Sequence, residues 1–476
     1  MTTALPDLLR RVTDHATEYE ARAASRPVSV AASTDVLRAA LGGPLPAHGQ
    51  DAAEVLDELV RGAEPGLLPS AAPGFFGFVM GGAHPVAVAT EWLLSVWDQC
   101  AALHATSPAA SVAEEVTAAW LVDLFGLPTT TSVGVTSGCA TANLTGLAAA
   151  RHRVFARHGW DVEAQGLVGA PVPRVLVSRA CHATVLRALR LLGLAGQIRM
   201  IDTDDQGRMR LDAFARVLDD GDGPLIVCAQ AGNVDTGAVD PLAEVCALTH
   251  ARGGWVHLDA AFGMWAAASP RLRPRLAGLA DADSWATDAH KWLNVPYDCG
   301  LAFCADPKAH RAALRTHAEY LTVAAPQHRD PVDWTPEMSR RARAVVLWTT
   351  LRHLGRDGVV DLVERCCALA RRLAGRLAAA DGMSVVNDVV LNQVLVRFDP
   401  EPDRSRAEVT AAVTAALQAD GRAWASPTVA DGEPALRFSV CNWQTGTDEV
   451  DTCADVVVEL RARLRHPGAL VLEEAP

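Results

Sequence analysis

The sequence predicts an α/β protein built on a mainly parallel central sheet, with a small α+β domain at its C-terminus. Three observations carry that expectation. From about residue 131 onward, short β-branched runs alternate with helical segments, the pattern of strand–helix–strand units. Several of those runs are apolar on both faces, as in a sheet covered by helices on each side. The chain is 476 residues long and half hydrophobic, which suits two or three packed domains with a large buried core.

The elements follow in order. Residues 1–22 alternate apolar with charged side chains and lack the apolar run of a secretory signal, so they read as an amphipathic helix. Up to about residue 70 two helical stretches are expected, separated by Gly42-Gly43-Pro44 and Pro46. Too small for its own core, the segment 1–72 is expected to pack at a subunit interface. Pro73-Gly74-Phe75-Phe76-Gly77-Phe78 breaks the helical pattern and puts aromatics on a loop. Helical periodicity returns over 85–100 and 111–125. Strands are expected at 174–178, 198–202, 225–229, 255–259, 284–287 and 300–304, within a large domain spanning 73–345. A long loop covers much of 306–345 and ends on the basic cluster Arg340-Arg341-Ala342-Arg343. The small domain, 346–476, carries strands at 394–398 and 436–440.

Composition narrows the function. Lys plus Arg is 43 against 56 Asp plus Glu, a formal charge of −13, which argues against nucleic acid or an anionic membrane as partner. Mean hydropathy is +0.11, yet no apolar run of membrane-spanning length occurs. The eleven cysteines include no Cys-x-x-Cys pair, which fits reduced thiols in the cytoplasm better than a disulfide framework or zinc cluster.

The chemistry concentrates at expected strand ends, where functional loops of such sheets gather. Lys291 follows the strand 284–287, between His290 and Trp292. A desolvated amine beside a cationic or polarisable neighbour has a lowered pKa and attacks carbonyls to form a Schiff base. A surface lysine is the ordinary alternative. Asp259 ends the buried strand 255–259; it is either a plain helix cap or a paired buried carboxylate. An imine-forming lysine and a carboxylate that can pair with a pyridinium nitrogen are the two groups a pyridoxal phosphate site needs most. His182 follows the strand 174–178, where an imidazole could stack on a cofactor ring or simply start a helix. Thr136-Ser137-Gly138-Cys139-Ala140-Thr141 opens a helix, offering backbone N–H groups to a phosphate or an ordinary Ser/Thr cap. A serine-hydrolase elbow is excluded because Thr136 holds the nucleophile position, and no Gly-x-Gly-x-x-Gly follows a strand. His257 and Asp259 lack a third metal ligand nearby.

Together these residues resemble the group II pyridoxal-phosphate-dependent amino acid decarboxylases, which include aromatic amino acid and glutamate decarboxylases. The likeness runs from roughly residue 74 to 348. His257-Leu258-Asp259-Ala260-Ala261 matches the family's His-Val-Asp-Ala-Ala, and Asp288-Ala289-His290-Lys291-Trp292 its Asn-Pro-His-Lys-Trp. Arg340-Arg341-Ala342-Arg343 and Trp348 match its Arg-Arg-Phe-Arg run and the helix that follows.

The resemblance implies a fold-type-I, aspartate-aminotransferase-like homodimer that binds pyridoxal 5'-phosphate. Lys291 would carry the cofactor, Asp259 would keep its ring nitrogen protonated, and Ala261 and His182 would cover its two faces. Cys139, Ala140, Asp288 and His290 would hold the phosphate, and Gln230 would approach the 3-hydroxyl. Tyr320 falls in the stretch that matches the family's mobile loop, whose tyrosine returns a proton to Cα. Phe78, Val79, Met80 and Ala102 fall in the substrate pocket, the last three smaller or less stiff than in aromatic-substrate enzymes. Asp288 replaces an asparagine, and a carboxylate beside phosphate is unfavourable unless protonated or turned away. The expected reaction turns an L-amino acid into its primary amine and carbon dioxide. Aldehyde-forming oxidative deamination or transamination is the alternative, and an inert paralogue acting as a binding partner the second.

Overall fold

This computed structural model describes residues 4–23, 26–315 and 328–465. Its seven-stranded sheet contains β1 (Ser132–Thr136), β2 (Arg174–Ser178), β3 (Ile198–Ile201), β4 (Leu225–Gln230), β5 (Trp255–Asp259), β6 (Ser284–Asp288) and β7 (Gly300–Cys304). Their spatial order is β1-β7-β6-β5-β4-β2-β3. All pairings are parallel except those of β7, which runs against both β1 and β6. The C-terminal ends of β1, β2, β4, β5 and β6 therefore open on one edge of the sheet, and the start of β7 lies among them. A second, antiparallel sheet of order β10-β11-β9-β8 is built from β8 (Met383–Val385), β9 (Gln393–Phe398), β10 (Ser426–Ala430) and β11 (Glu433–Ser439).

Helices α1 (Leu5–Ala23), α2 (Thr34–Leu41), α3 (Ala52–Ala63), α4 (Pro85–Trp97), α5 (Pro108–Phe125) and α6 (Cys139–Arg157) precede β2. The N-terminal segment thus has three helices, not two. Asp51 caps the third by accepting from Ala53 and Glu54 N–H. Helix α6 lies across the large sheet; every residue of β1, β5, β6 and β7 is buried.

Three strands escaped the sequence reading. β1 is interrupted by Gly134, where a Cβ would sit 2.2 Å from the Trp334 carbonyl, so close approach of the backbone replaced the usual β-branched signature. β10 contains Pro427 and is tolerated as an edge strand. β8 has only three residues. The expected loop at 306–345 contains a helix, Pro307–Leu314, capped by Asp306, and a 3₁₀ turn at Pro331–Trp334. The long helix Arg343–Ala378 begins before residue 346, with a break at Gly355 (φ 62°). One apolar core joins both sheets, from Val135, Leu258 and Trp285 through Leu347 and Leu373 to Val394 and Val457.

Candidate active site

Two carboxylates and an amine meet where β5 and β6 end. Asp259 is the last residue of β5 and is buried; its Oδ1 accepts the Ala261 N–H at 3.2 Å and faces the Cys139 thiol at 3.6 Å. Asp288 is the last residue of β6 and is also buried. The Ala261 carbonyl accepts from Asp288 N–H (2.8 Å) and Thr287 Oγ1 (3.2 Å), and Trp265 Nε1 donates to the Asp288 carbonyl at 2.9 Å. Those bonds lock the end of β6. Lys291 Nζ then lies 2.9 Å from Asp288 Oδ2.

The start of α6 completes this side. Gly300 pairs with both Thr136 and Asp288, and a Cβ on it would come within 2.4 Å of the Gly138 backbone. Only glycine lets the β1–α6 turn close over the sheet there. The Cys139 N–H, without an intrahelical partner at the helix N-terminus, donates to Asp288 Oδ1 at 2.6 Å. A carboxylate at a helix N-terminus is electrostatically favoured. Asp288 is thus an anion held between that N-terminus and the Lys291 ammonium.

This reverses one expectation. Lys291 was expected to have a lowered pKa; burial does oppose its charge, but Asp288, Cys139 and Asp259 more than offset it, and the pKa is raised. The sequence placed a histidine beside the lysine as a cationic or polarisable neighbour, and the structure favours the second. Burial lowers the pKa of His290, whose Nδ1 accepts the Cys299 N–H at 2.9 Å while Nε2 lies 3.4 Å from Asp288 Oδ1. An Nδ1 that accepts leaves the proton of the neutral imidazole on Nε2, on the side of Asp288.

His182 caps the helix Ala183–Leu191. Its Nδ1 accepts from Thr184 N–H (3.3 Å) and bonds Thr184 Oγ1 (2.8 Å), leaving Nε2 without a hydrogen-bond partner among the described residues on a ring that is only partly exposed. Helix-start and site-facing readings are compatible: Asp259 and Lys291 both act on its charge. Burial lowers the His182 pKa, with Asp259 opposing and Lys291 adding to the effect. Gln230 ends β4, buried; its N–H donates to Asp240 Oδ2 (2.7 Å) and its Nε2 to Ser178 Oγ (3.4 Å). Ala261 packs on Cys139, Ala142, Ala286 and Ala302, and Ala140 is exposed on the first turn of α6.

The expected substrate residues divide. Phe78 is 53% exposed with φ 51°; its ring stacks on Trp424 at 5.6 Å and its N–H donates to Ser426 Oγ at 2.7 Å. An aromatic at positive φ is strained, and the β10 contacts hold it there. Val79 is buried, and the Met80 carbonyl accepts the Cys441 thiol at 3.0 Å. Gly81 abuts the Lys291 carbonyl, where a Cβ would be 2.0 Å away, so this loop passes directly over the lysine. Ala102 instead joins the 328–340 stretch, its carbonyl accepting from Val332 N–H at 3.0 Å. Tyr320 lies outside the described residues. Two neighbours were missed. The Tyr297 ring lies tilted by 36° against His290 with centroids 4.4 Å apart, and its pKa is pushed up to about 12 by burial and Cys441, with Lys291 opposing. Asn294, at φ 58°, bonds three chain segments. An asparagine three residues past the lysine carries no motif signal; its role depends on strands far apart in sequence.

A family model described as the pyridoxal-dependent decarboxylase conserved domain matches residues 37–399. The chain is 31% identical over 430 residues to L-2,4-diaminobutyrate decarboxylase of Rhizobium meliloti (strain 1021), covering 88% of this chain and 84% of that one. It is 28% identical to aromatic-L-amino-acid decarboxylase of Bacillus atrophaeus, over 90% and 89% of the two chains. Among solved structures, Oryza sativa TDC with PLP and tryptamine superposes with a TM-score of 0.90 at 24% identity, covering 98% and 99%. Mouse CSAD superposes with 0.88 at 22% identity, covering 96% and 98%. At those identities the structural likeness establishes the shared fold-type-I architecture.

Proposed function

The chain belongs to the pyridoxal-dependent decarboxylase family, and from that premise we propose that it converts an L-amino acid to its primary amine and carbon dioxide. It is a pyridoxal-phosphate-dependent carboxy-lyase by family; the amine product and the residue roles are the proposal. The observation that carries it is the meeting of Lys291, Asp288, Asp259 and the free face of His182 at the C-terminal ends of β2, β5 and β6.

The residues fit the cofactor on the structure's own terms. The Cys139 N–H at the start of α6 and the Lys291 ammonium already hold the Asp288 carboxylate, with His290 Nε2 3.4 Å from its Oδ1. Gly138 leaves a recess there: a Cβ would face His290 Cε1 at 3.3 Å and Asp288 Oδ1 at 3.6 Å. Lys291 would carry the cofactor, while Cys139, Ala140 and His290 would hold its phosphate once Asp288 turns aside or takes a proton. Asp259 would hold the ring nitrogen's proton, Ala261 and His182 would cover the ring faces, and Gln230 would approach the 3-hydroxyl. When bound, pyridoxal phosphate supplies the electron sink that makes loss of carbon dioxide from an amino acid feasible.

The protein's remaining work is orientation and proton placement. The loop from Phe78 to Met80 would line the substrate side, with Phe78 and Trp424 as its aromatic wall. His182 Nε2, on a partly desolvated ring whose pKa is lowered, can exchange a proton with substrate. Tyr320 would return the proton to Cα and so favour amine over aldehyde; a placed donor is worth roughly 10²–10⁴-fold in rate.

A homodimer is supported by the outer face of α4, where Trp92 (37%), Leu93 (49%), Val96 (52%) and Trp97 (52%) are exposed together. Clustered exposed apolar side chains mark an interface. Ala102, remote from Lys291 in hydrogen bonding, would then serve the partner's pocket. All eleven cysteines are free, which supports a cytoplasmic setting. No described helix is long and apolar enough to cross a membrane.

The test is a product assay. Enzyme with added pyridoxal phosphate is given each common amino acid, with carbon dioxide, amine, ammonia and peroxide read together. Carbon dioxide with matching amine supports the proposal; ammonia with peroxide would move the chain to the oxidative branch.

A further inference from the structure

We infer that Asn294 is the positioning residue of Lys291: it ties the lysine-bearing turn to two remote segments and thereby sets how the amine meets the cofactor. The inference rests on Lys291 carrying the cofactor and concerns a residue to which the proposed function gives no part.

Asn294 is fully buried and lies three residues after Lys291. Its φ of 58° bends the chain back, and its N–H reaches the Lys291 carbonyl at 3.3 Å. Asparagine is among the few side chains that tolerate that conformation. The amide is then used to capacity on both sides. Oδ1 accepts from Gly82 N–H at 2.6 Å and from Trp443 N–H at 3.0 Å. Nδ2 donates to the Trp292 carbonyl at 2.7 Å and the Cys441 carbonyl at 2.9 Å. Its own carbonyl accepts from His84 N–H at 2.9 Å. One side chain therefore joins the Lys291–Trp292 turn, the 82–84 stretch and the 441–443 stretch, which are some 150 to 360 residues apart in sequence.

The consequence is geometric. The loop at Gly81 presses on the Lys291 carbonyl, and the Cys441 thiol holds the Met80 carbonyl. Asn294 sets the spacing of these walls around the lysine. Without it, the buried Gly82 N–H, the partly buried Trp443 N–H and two carbonyls lose their partners, each a cost comparable to a lost hydrogen bond. The turn then regains freedom, and the ammonium loses its fixed approach to Asp288.

The test compares Asn294→Gly, which keeps the positive φ and removes the amide, with Asn387→Ala. Asn387 is a matched buried clamp remote from Lys291, bonding Thr236 and Gln393 carbonyls and Leu395 N–H at 2.9 Å each. Two quantities are read below both melting temperatures: the dissociation constant for pyridoxal phosphate, and the rate at which Lys291 in cofactor-free enzyme is trinitrophenylated, with the site assigned by mass spectrometry. Asn294→Gly is expected to weaken cofactor binding at least tenfold and to change the Lys291 labelling rate at least threefold, with Asn387→Ala within twofold of wild type on both. Equal changes in the two variants, or none in either, overturn the inference. Should Asn294→Gly not fold, Asn294→Asp, which keeps the Gly82 and Trp443 acceptors, is read against the same thresholds. The labelling arm needs no cofactor, so failure of the Lys291 role, seen as normal cofactor linkage in Lys291→Ala, is distinguishable from failure of the Asn294 role.

Discussion

Lys291 Nζ is paired to Asp288 Oδ2 at 2.9 Å, and the same carboxylate takes the Cys139 N–H at the start of α6. One anion thus holds both the proposed cofactor lysine and the proposed phosphate site. Replacing it with Asn should separate these effects. Asp288→Asn is expected to lower the Lys291 pKa by about one to three units, since an adjacent opposite charge shifts a group by that much. The midpoint of the Lys291 labelling rate against pH, in cofactor-free enzyme, checks it; an unmoved midpoint removes Asp288 as the cause of the raised pKa.

Lys291→Ala should abolish turnover, and with it the visible absorption band of the cofactor-loaded enzyme. Turnover that survives the substitution would assign the chemistry to another residue.

Tyr320→Phe should shift the product mixture from amine toward aldehyde and slow amine formation roughly 10²–10⁴-fold, the worth of a placed proton donor. Quantifying both products from one reaction checks it. An unchanged ratio takes Tyr320 out of the mechanism.

Acid should destabilise the fold through buried neutral histidines. Burial lowers the pKa of His257, between Ser284 Oγ and Asn143 Oδ1, to about 3, and burial with Arg329 lowers that of His310 to about 3. Both start from an ordinary value of 6.5. Between pH 6.5 and 3 the unfolded chain therefore holds more protons than the folded one, and stability falls as pH falls. Each group contributes a slope of about 1.4 kcal/mol per pH unit through that window. His257→Gln, which can still donate to Asn143, should flatten the slope by about that amount in denaturant titrations at pH 6 and 4.5. Parallel slopes in the two proteins would refute the assignment.

Trp97→Asp should convert a dimer to monomers by placing a charge in the exposed apolar face of α4, read by sedimentation velocity. A wild-type monomer, or a variant that still dimerises, would place the interface elsewhere.

Much of this arrangement was legible because its polar residues sit in short runs. His257 to Ala261 is a buried strand ending in a carboxylate, and Asp288 to Trp292 a strand end followed by an amine. Such runs announce themselves locally because a strand's periodicity and its terminal polar residue are adjacent in sequence. β1 and β10 were not legible, since Gly134 and Pro427 serve contacts with Trp334 and an open sheet edge that no local pattern reports. The charge state of Lys291 was misjudged for the same reason. Its neighbour in sequence is His290, but its partner in space is Asp288, and burial keeps the histidine neutral.

The sequence by itself thus determined the α/β class, the positions of most large-sheet strands and the polar residues at their ends, because hydrophobic period and residue type are local properties. Tertiary structure alone decided how those residues act on one another. Parallel strands bring Cys139, His182, Asp259 and Asp288 to one edge, and Asn294 joins three distant segments around Lys291. Electrostatic and hydrogen-bond energies depend on distance and burial, which are set only once the whole chain has packed.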